Sequence, residues 1–315
     1  MAVTLADAKL LTQDKLTQDV IDEFRKDDLL NLLVFDNCVA LNGGSTLAYT
    51  YNRVLTNGTA AFREINNEYT AQEAKTKQYT TNLKVFGGSF EIDRVIQKHV
   101  KGVTNQLAFQ MAQKIKGAQA LFSDTFFNGS AASDAKVFDG IDVALTGSST
   151  EITPDAAIDL STASALDTNY KAFLDAVEDM LAELDGAPSF LAMNRKLRSA
   201  FNKVGRRTVA FTETRDEFGR AVQYYNGIPL ITIGDKPNTA NPIIANGSDG
   251  TSLYAVRVGL DGVCGVTPEG DDIIDVYMPD FNTPGAVKKG EVEMVAGIAV
   301  KATKAAGVLR KVKIA

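Results

Sequence analysis

Two extended runs that flank a polar stretch constrain the fold of this chain more than any other feature. Residues 46–55 alternate bulky with small or polar side chains, and residues 79–85 repeat that period of two, which is typical of β-strands. Asn57 and Gly58 form a turn signal, and the polar, charge-rich stretch that follows them extends to Gln78. We therefore predict a long two-stranded arm with a polar tip. Because an isolated two-stranded ribbon is only marginally stable in water, such an arm needs a partner surface.

The longest helix is expected after this arm. Gly87 and Gly88 should end the second strand or form a bulge in it. Thr104 is the expected N-cap of the helix, and Asn128-Gly129 should close it with the glycine in the left-handed conformation. At ~1.5 Å per residue the helix is about 35 Å long, enough to form the spine of a domain. Its apolar stripe consists of Leu107, Met111, Ile115, Ala118, Phe122 and Phe126.

The middle of the chain alternates between helical and extended patterns. Thr168 is the expected N-cap of a helix that stops at Gly186. Residues 190–193 predict a buried strand, residues 195–204 a short helix, and residues 224–229 a strand, a turn and another strand. This mixture predicts an α+β fold.

The two ends of the chain differ in pattern. Residues 292–300 show the cleanest alternation of apolar and polar side chains in the sequence, which predicts a strand with one buried face. Residues 17–33, with Thr17 as the expected N-cap, predict an amphipathic helix. That segment has too little sequence around it to build a core, so we expect it to pack against something else, such as a neighbouring subunit.

The charge and the cysteines limit the function classes. The formal net charge of the 315 residues is -6 and the pI is about 5.0, which argues against a folded body that grips nucleic acid through its phosphates. Cys38 and Cys264 are far apart in sequence, so we expect two small buried apolar residues in a reducing compartment. Residues 1–10 lack the pattern of a signal peptide, and no apolar run is long enough to span a bilayer.

The residues of an active site are sparse. The single histidine, His99, lies between lysines, and no cysteine or histidine group has metal-ligand spacing. The densest carboxylate group is Glu269, Asp271 and Asp272, which we interpret as a solvated loop. No phosphate-binding loop, dinucleotide fingerprint or nucleophile motif occurs. We expect no catalysis, no cofactor and no metal.

Five short stretches, in this order, carry a resemblance to a known family. They are residues 121–129 (LFSDTFFNG), 137–141 (VFDGI), 190–195 (FLAMNR), 225–231 (YNGIPLI) and 254–266 (YAVRVGLDGVCGV). Together with the arm and the spine helix, they resemble the major capsid proteins of tailed bacteriophages, which have the Hong Kong phage 97 type of fold. The resemblance covers nearly the whole chain.

The resemblance implies a division of the chain into four parts. An N-terminal arm spans residues 1–44, and residues 45–90 form the extended hairpin called the E-loop. A peripheral domain with the spine helix takes residues 91–149 and 266–315, and an axial domain takes residues 150–265.

The function that the resemblance implies is structural. The subunit would assemble with itself through pentamers and hexamers into an icosahedral shell that encloses the phage genome, without catalysis and without sequence-specific DNA binding. It would be made and assembled in the host bacterial cytoplasm, reside in the virion, and contact a scaffolding protein, a portal, possible decoration proteins and no membrane. The candidate assembly residues on the E-loop are Arg53, Arg63, Glu64, Glu68, Glu73, Lys75 and Lys77.

Three alternatives remain open at this stage. The first is an encapsulin-type nanocompartment, which shares the fold but holds protein cargo. The second is another phage structural protein, such as a tail tube. The third is an enzyme that uses carboxylates in a glycine-rich site.

Overall fold

The computed structural model describes residues 29–39, 47–99, 106–208, 211–215, 221–269 and 273–314. The amphipathic pattern of residues 17–28, with its N-cap Thr17, lies outside the described residues, as do Thr104, Asp271 and Asp272. Of the N-terminal pattern, only the last turn is described, as helix α1.

The described residues form two long helices, several short helices, and strands in three sheets. The helices are α1 (Leu29–Leu32), α2 (Arg94–His99), α3 (Gln106–Asn128), α4 (Ile141–Leu145), α5 (Ala163–Ala182) and α6 (Arg195–Gly205), with a 3₁₀ turn at Thr303–Ala305. The first strands are β1 (Phe35–Val39), β2 (Ala48–Thr56), β3 (Lys75–Asn82), β4 (Lys84–Asp93), β5 (Glu151–Ile152), β6 (Ile158–Asp159), β7 (Phe190–Met193) and β8 (Phe211–Arg215). The remaining strands are β9 (Ala221–Tyr225), β10 (Ile228–Thr232), β11 (Thr251–Val256), β12 (Val263–Pro268), β13 (Asp275–Tyr277), β14 (Val287–Val300) and β15 (Ala306–Lys313).

The first sheet is built around β14. Its order is β1-β12-β14-β13, and β4 pairs antiparallel with β14 from Val287↔Asp93 to Ala296↔Lys84. The alternating pattern of residues 292–300 thus predicts this strand correctly. The expected break at Gly87 and Gly88 is wrong, because β4 runs through both glycines in register with β14. A Cβ added to Gly87 would lie 2.0 Å from the backbone oxygen of Val292, so glycine is needed here for close approach of two backbones.

The spine helix is α3, which packs on β4 and β14. Its C-terminal half carries the fully buried Phe122 and Phe126, whereas Met111 and Ile115 in the N-terminal half are only half-buried. The helix ends at Asn128 as predicted. The left-handed glycine cap is wrong, because the N–H of Gly129 continues the helical pattern by donating to Thr125 O at 2.8 Å.

Gly129 instead leaves room for the chain that follows α3. A Cβ at this position would lie 2.3 Å from the backbone oxygen of Phe138. The N–H of Gly140 donates to Gly129 O at 2.8 Å and fixes the loop against the end of the helix. The Asn-Gly pair and the later Gly-Ile pair of this passage are therefore in direct contact.

The second sheet has the order β5-β15-β11-β7-β10-β9-β8, with β6 also paired to β15. Thr162 caps α5 by accepting a hydrogen bond from Ala165 N at 3.1 Å, so the predicted cap at Thr168 is wrong. Thr168 lies inside the helix and donates to Ser164 O, because a threonine hydroxyl is satisfied equally well by the carbonyl one turn earlier. Asn226 and Gly227 join β9 to β10 with φ values of 49° and 80°, as the turn signal predicts.

The last strand belongs to the second sheet. β15 pairs with β11, β5 and β6. The predicted peripheral domain contains the spine helix and all of residues 266–315. This division into peripheral and axial domains stays a prediction. The strand pairing joins β15 to the sheet that residues 150–265 build.

Arg310 of β15 ties this sheet to the region around α4. Its guanidinium forms ion pairs with Glu151 and with Asp142, the latter at 2.8 Å. The hydroxyl of Tyr254 also donates to Asp142 at 2.8 Å. Burial opposes the charge of Glu151, but hydrogen bonds from Gly147 N–H and Arg310 hold the pKa of this carboxyl below its ordinary value.

Candidate assembly interface

A two-stranded arm forms as predicted, but its second strand has other bounds: it spans Lys75–Asn82, and Val85 belongs to β4, which pairs with β14 in the first sheet. β2 and β3 pair antiparallel from Ala48↔Asn82 to Thr56↔Lys75 and form a separate two-stranded sheet. Asn57-Gly58 does not form a tight hairpin turn, because the pairing resumes only at Lys75 and leaves residues 57–74 as an irregular tip. Every residue from 57 to 78 is exposed.

Alternate side chains of β2 attach the root of the arm to the first sheet. The hydroxyl of Tyr49 donates to Asp36 Oδ2 at 2.8 Å, and the hydroxyl of Tyr51 donates to Val300 O at 2.9 Å. The Nε of Arg53 donates to Lys301 O at 3.0 Å. These three residues share one face of β2 because successive side chains of a strand point to opposite faces.

A partly buried ion pair lies beneath this root. The ammonium of Lys301 is 3.0 Å from Asp36 Oδ2 and 5.1 Å from the ring of Tyr49. Burial opposes the charge on Lys301, but hydrogen bonds to Tyr49 and Asp36 raise the pKa of its ammonium. Burial likewise raises the pKa of the Tyr49 phenol. Both raised pKa values keep the Lys301 ammonium charged and the Tyr49 phenol neutral near neutral pH.

The candidate assembly residues divide between root and tip. Arg53 lies at the root, where its guanidinium stacks over the ring of Tyr79 at 4.2 Å. Its guanidinium thus contacts groups of the same subunit, and Arg53 lies apart from the exposed tip. The alternation with Tyr49 and Tyr51 places it on the inner face, which is a signal present in the sequence.

The other candidates lie on the outer part of the arm. Arg63 donates to Asn67 O at 3.3 Å, and its guanidinium lies 5.4 Å from the centre of the Tyr69 ring. The ammonium of Lys77 lies 5.2 Å from the Tyr79 ring. All of these side chains are exposed, and they are Arg63, Glu64, Glu68, Glu73, Lys75 and Lys77.

The tip also carries three large apolar side chains, which the sequence analysis passed over by treating the tip as polar. Phe62, Ile65 and Tyr69 are 106%, 89% and 62% exposed. Their spacing of three and four within a charged stretch was a signal that could have identified them. An exposed apolar group rimmed by charged residues is the composition of a protein–protein contact.

The cysteine, histidine and acidic residues singled out in the sequence are dispersed over the described part of the chain. Within it, no cluster of three or more histidine, cysteine or acidic side chains could hold a metal ion. Cys264 is buried and free, and burial raises the pKa of its thiol. Glu269 is exposed, and His99 ends α2, with nothing described of its side chain. None of the helices that the structure describes combines the length and apolarity needed to cross a bilayer.

Solved structures similar to this chain include an encapsulin and virus-like or phage capsids. The SrpI encapsulin of Synechococcus elongatus PCC 7942 is 18% identical with a TM-score of 0.66, over 99% of this chain and 97% of that chain. The capsid of the empty GTA particle is 15% identical with a TM-score of 0.62, over 98% of both chains. The capsid of Myoviridae phage XM1 is 14% identical with a TM-score of 0.56, over 95% of this chain and 97% of that chain. No protein-family model and no curated protein sequence matches the chain.

The fold is therefore that of proteins that build closed shells. More narrowly, the chain has the α+β capsid fold of tailed bacteriophages, the Hong Kong phage 97 type, which the encapsulin shares. The fold class predicted from the sequence is confirmed.

Proposed function

We propose that this chain is the major capsid protein of a tailed bacteriophage, a structural subunit that assembles with itself into a closed icosahedral shell around the phage genome. The observation that carries the proposal is the arm. Its root is fixed to the body, and its tip presents Phe62, Ile65 and Tyr69 to solvent. Nothing within the described part of the chain covers these side chains, so a neighbouring subunit is the natural occupant.

The geometry of the arm suits repeated contacts between identical subunits. Each arm offers three exposed apolar side chains to a neighbour, and the charged residues interspersed with them, from Arg63 to Lys77, would form the polar part of that contact. Single contacts of this kind are weak, but a closed shell makes many of them at once. The subunit can then stay folded and soluble alone, while its contacts with neighbours become stable only when many of them form together in the assembly.

The chemistry of the rest of the chain supports a container. A formal net charge of -6 disfavours tight binding to the enclosed DNA. The fold is that of structural shell proteins, which favours a subunit without catalytic activity. Scaffolding, portal and decoration proteins would be further partners, with assembly in the host cytoplasm and final location in the virion.

The test is to change the apolar tip and to examine the product by negative-stain electron microscopy and sedimentation. The variant Phe62→Ser, Ile65→Ser, Tyr69→Ser should remain a folded, soluble subunit and should form no closed particles. The matched control Phe62→Leu, Ile65→Val, Tyr69→Phe keeps the apolar character and should assemble. Normal closed shells from the serine variant would refute the role of the tip, and straight tubes from the unaltered chain would indicate a tail-tube protein.

The encapsulin likeness favours a second candidate, a nanocompartment that encloses protein. The two functions differ in the contents of particles isolated from their natural source. Nuclease-protected DNA inside the shell supports the capsid protein, whereas a co-purifying folded protein without DNA supports the nanocompartment.

A further inference from the structure

The arm also carries an asparagine whose local geometry favours a covalent change. The chain contains five Asn-Gly pairs, at Asn42, Asn57, Asn128, Asn226 and Asn246. In such a pair the backbone nitrogen of the glycine can attack the side-chain carbonyl carbon of the asparagine. Glycine permits this reaction best because it has no Cβ to block the approach and its backbone is free to rotate.

Three of the four described pairs are held in place by hydrogen bonds. The Nδ2 of Asn128 donates to Asp124 Oδ1 at 2.7 Å and to Ile243 O at 2.8 Å. The Nδ2 of Asn226 donates to Glu178 Oε1 at 2.8 Å. The N–H of Gly247, which follows Asn246, donates to Gly250 O at 3.0 Å. Each of these pairs must break at least one hydrogen bond before the nitrogen can reach the carbonyl carbon.

The Asn57-Gly58 pair has no such restraint. Both residues are exposed, and among the residues that the structure describes none hydrogen-bonds to the Asn57 side chain or to the Gly58 N–H. Apart from its two chain neighbours, a Cβ placed on Gly58 would meet no atom within 4 Å, so no other part of the chain packs against this glycine on that side. The pair lies immediately after the last paired residue of β2, Thr56, where the ladder no longer fixes the backbone.

From this contrast we infer that Asn57 is a site of spontaneous deamidation in the unassembled subunit. The Gly58 nitrogen loses its proton to solvent and forms a bond to Asn57 Cγ, while the bond from Cγ to the amide nitrogen breaks and ammonia leaves. Water then opens the resulting five-membered succinimide at either carbonyl and gives isoaspartate or aspartate. Oxidation states do not change, and water is the only co-reactant.

The product changes the arm beside its tip. A neutral amide becomes a carboxylate, and the isoaspartate form adds a methylene to the backbone at the end of β2. A second step rests on the proposed function: an arm that lies on a neighbour is shielded and restrained there, so assembly protects Asn57. The altered residue would then mark subunits that remained outside shells.

The experiment uses the serine tip variant described above, which keeps Asn57 and Gly58, together with the unaltered chain. Both are incubated in mildly alkaline buffer and separated by sedimentation into subunits and particles. Peptide mass spectrometry follows the replacement of NH₂ by OH at each asparagine, and isoaspartyl methyltransferase labelling detects isoaspartate. In subunits, Asn57 should deamidate faster than Asn128, Asn226 and Asn246 by on the order of tenfold or more.

Gly58→Ala supplies the matched control, since its Cβ meets no other atom within 4 Å. It should slow the reaction at Asn57 by on the order of tenfold, because alanine restricts the backbone conformations at position 58. The reaction rates at the other three sites should not change. An Asn57 rate equal to that of Asn226, or one that Gly58→Ala does not change, would overturn the inference.

The particle fraction separates this inference from the proposed function. Slower reaction of Asn57 in particles than in subunits, with the other sites unaffected, supports protection by assembly, and an equal rate overturns that step. If the unaltered chain forms no particles, the proposed function fails, while the comparison among sites in subunits still decides whether Asn57 is modified.

Discussion

Replacement of Phe122 by alanine is the sharpest test of how the spine helix faces the core. The side chain of Phe122 is fully buried. The centre of its ring lies 6.0, 6.2, 6.3 and 5.9 Å from the ring centres of Phe35, Phe86, Phe126 and Phe138. These four rings come from β1, β4, α3 and the loop before α4, so no single element can move inward to fill the gap. We therefore expect a loss of ~4–5 kcal/mol, the upper part of the range for Phe→Ala in a core.

The measurement is urea-induced unfolding followed by circular dichroism. The serine tip variant is the proper background, because assembly would otherwise add to the apparent stability. Leu121→Ala is the matched control, since the adjacent side chain is 37% exposed and its truncation should cost less than about 1 kcal/mol. If Phe122→Ala costs no more than Leu121→Ala, the helix does not bury the face that carries Phe122, and our assignment of the core is refuted.

Three further changes test other contacts. Asn194→Ala removes the cap of α6 and two buried hydrogen bonds and should cost ~2–4 kcal/mol in the same unfolding assay. Arg310→Met should lower the free energy of unfolding by ~1–3 kcal/mol at neutral pH. Because the folded-state pKa of Glu151 is lowered, the stability that the Arg310–Glu151 ion pair contributes is present above the unfolded-state pKa of Glu151 and is lost as the pH falls through the folded-state value. The unaltered and variant chains should therefore have the same stability in acid. Lys75 and Lys77 should form no isopeptide bond to a neighbouring subunit, since that reaction needs a desolvated lysine beside a carboxylate and both side chains are exposed. Boiled particles should therefore give a single band on denaturing electrophoresis. A ladder of multimers that disappears in Lys75→Arg or Lys77→Arg would contradict this prediction.

The elements that the sequence predicts correctly are those in which burial imposes a period. β14, α3 and the two strands of the arm each have one face toward protein and another toward solvent, so their side chains alternate or recur at helical spacing. Such patterns are local and can be recognised without knowledge of the partner element.

The errors concern residues whose role depends on a distant partner. Gly87 is compatible with a strand end or with a close approach of backbones, and only the position of Val292 decides between them. Gly129 is compatible with a left-handed cap, and only the position of Phe138 shows that glycine is needed because a Cβ would collide with the backbone of the later loop. Thr162 and Thr168 are both acceptable N-caps, and the helix begins at the earlier one, whose first turn buries Leu166 on the same stripe as Phe173.

The candidate site was predicted as one charged surface, and the structure divides it into two parts with different chemistry. At the root, Tyr49 and Arg53 connect the arm to Asp36 of β1 and to Lys301, and this sets the angle at which the arm leaves the body. At the tip, Phe62 is available for contact with another molecule. A contact at the tip can fix the position of a neighbouring body only if the root is rigid, because a flexible root would let the arm bind without orienting its partner. Since Asp36 lies in β1, the position of the arm is also tied to the strand that pairs with β12.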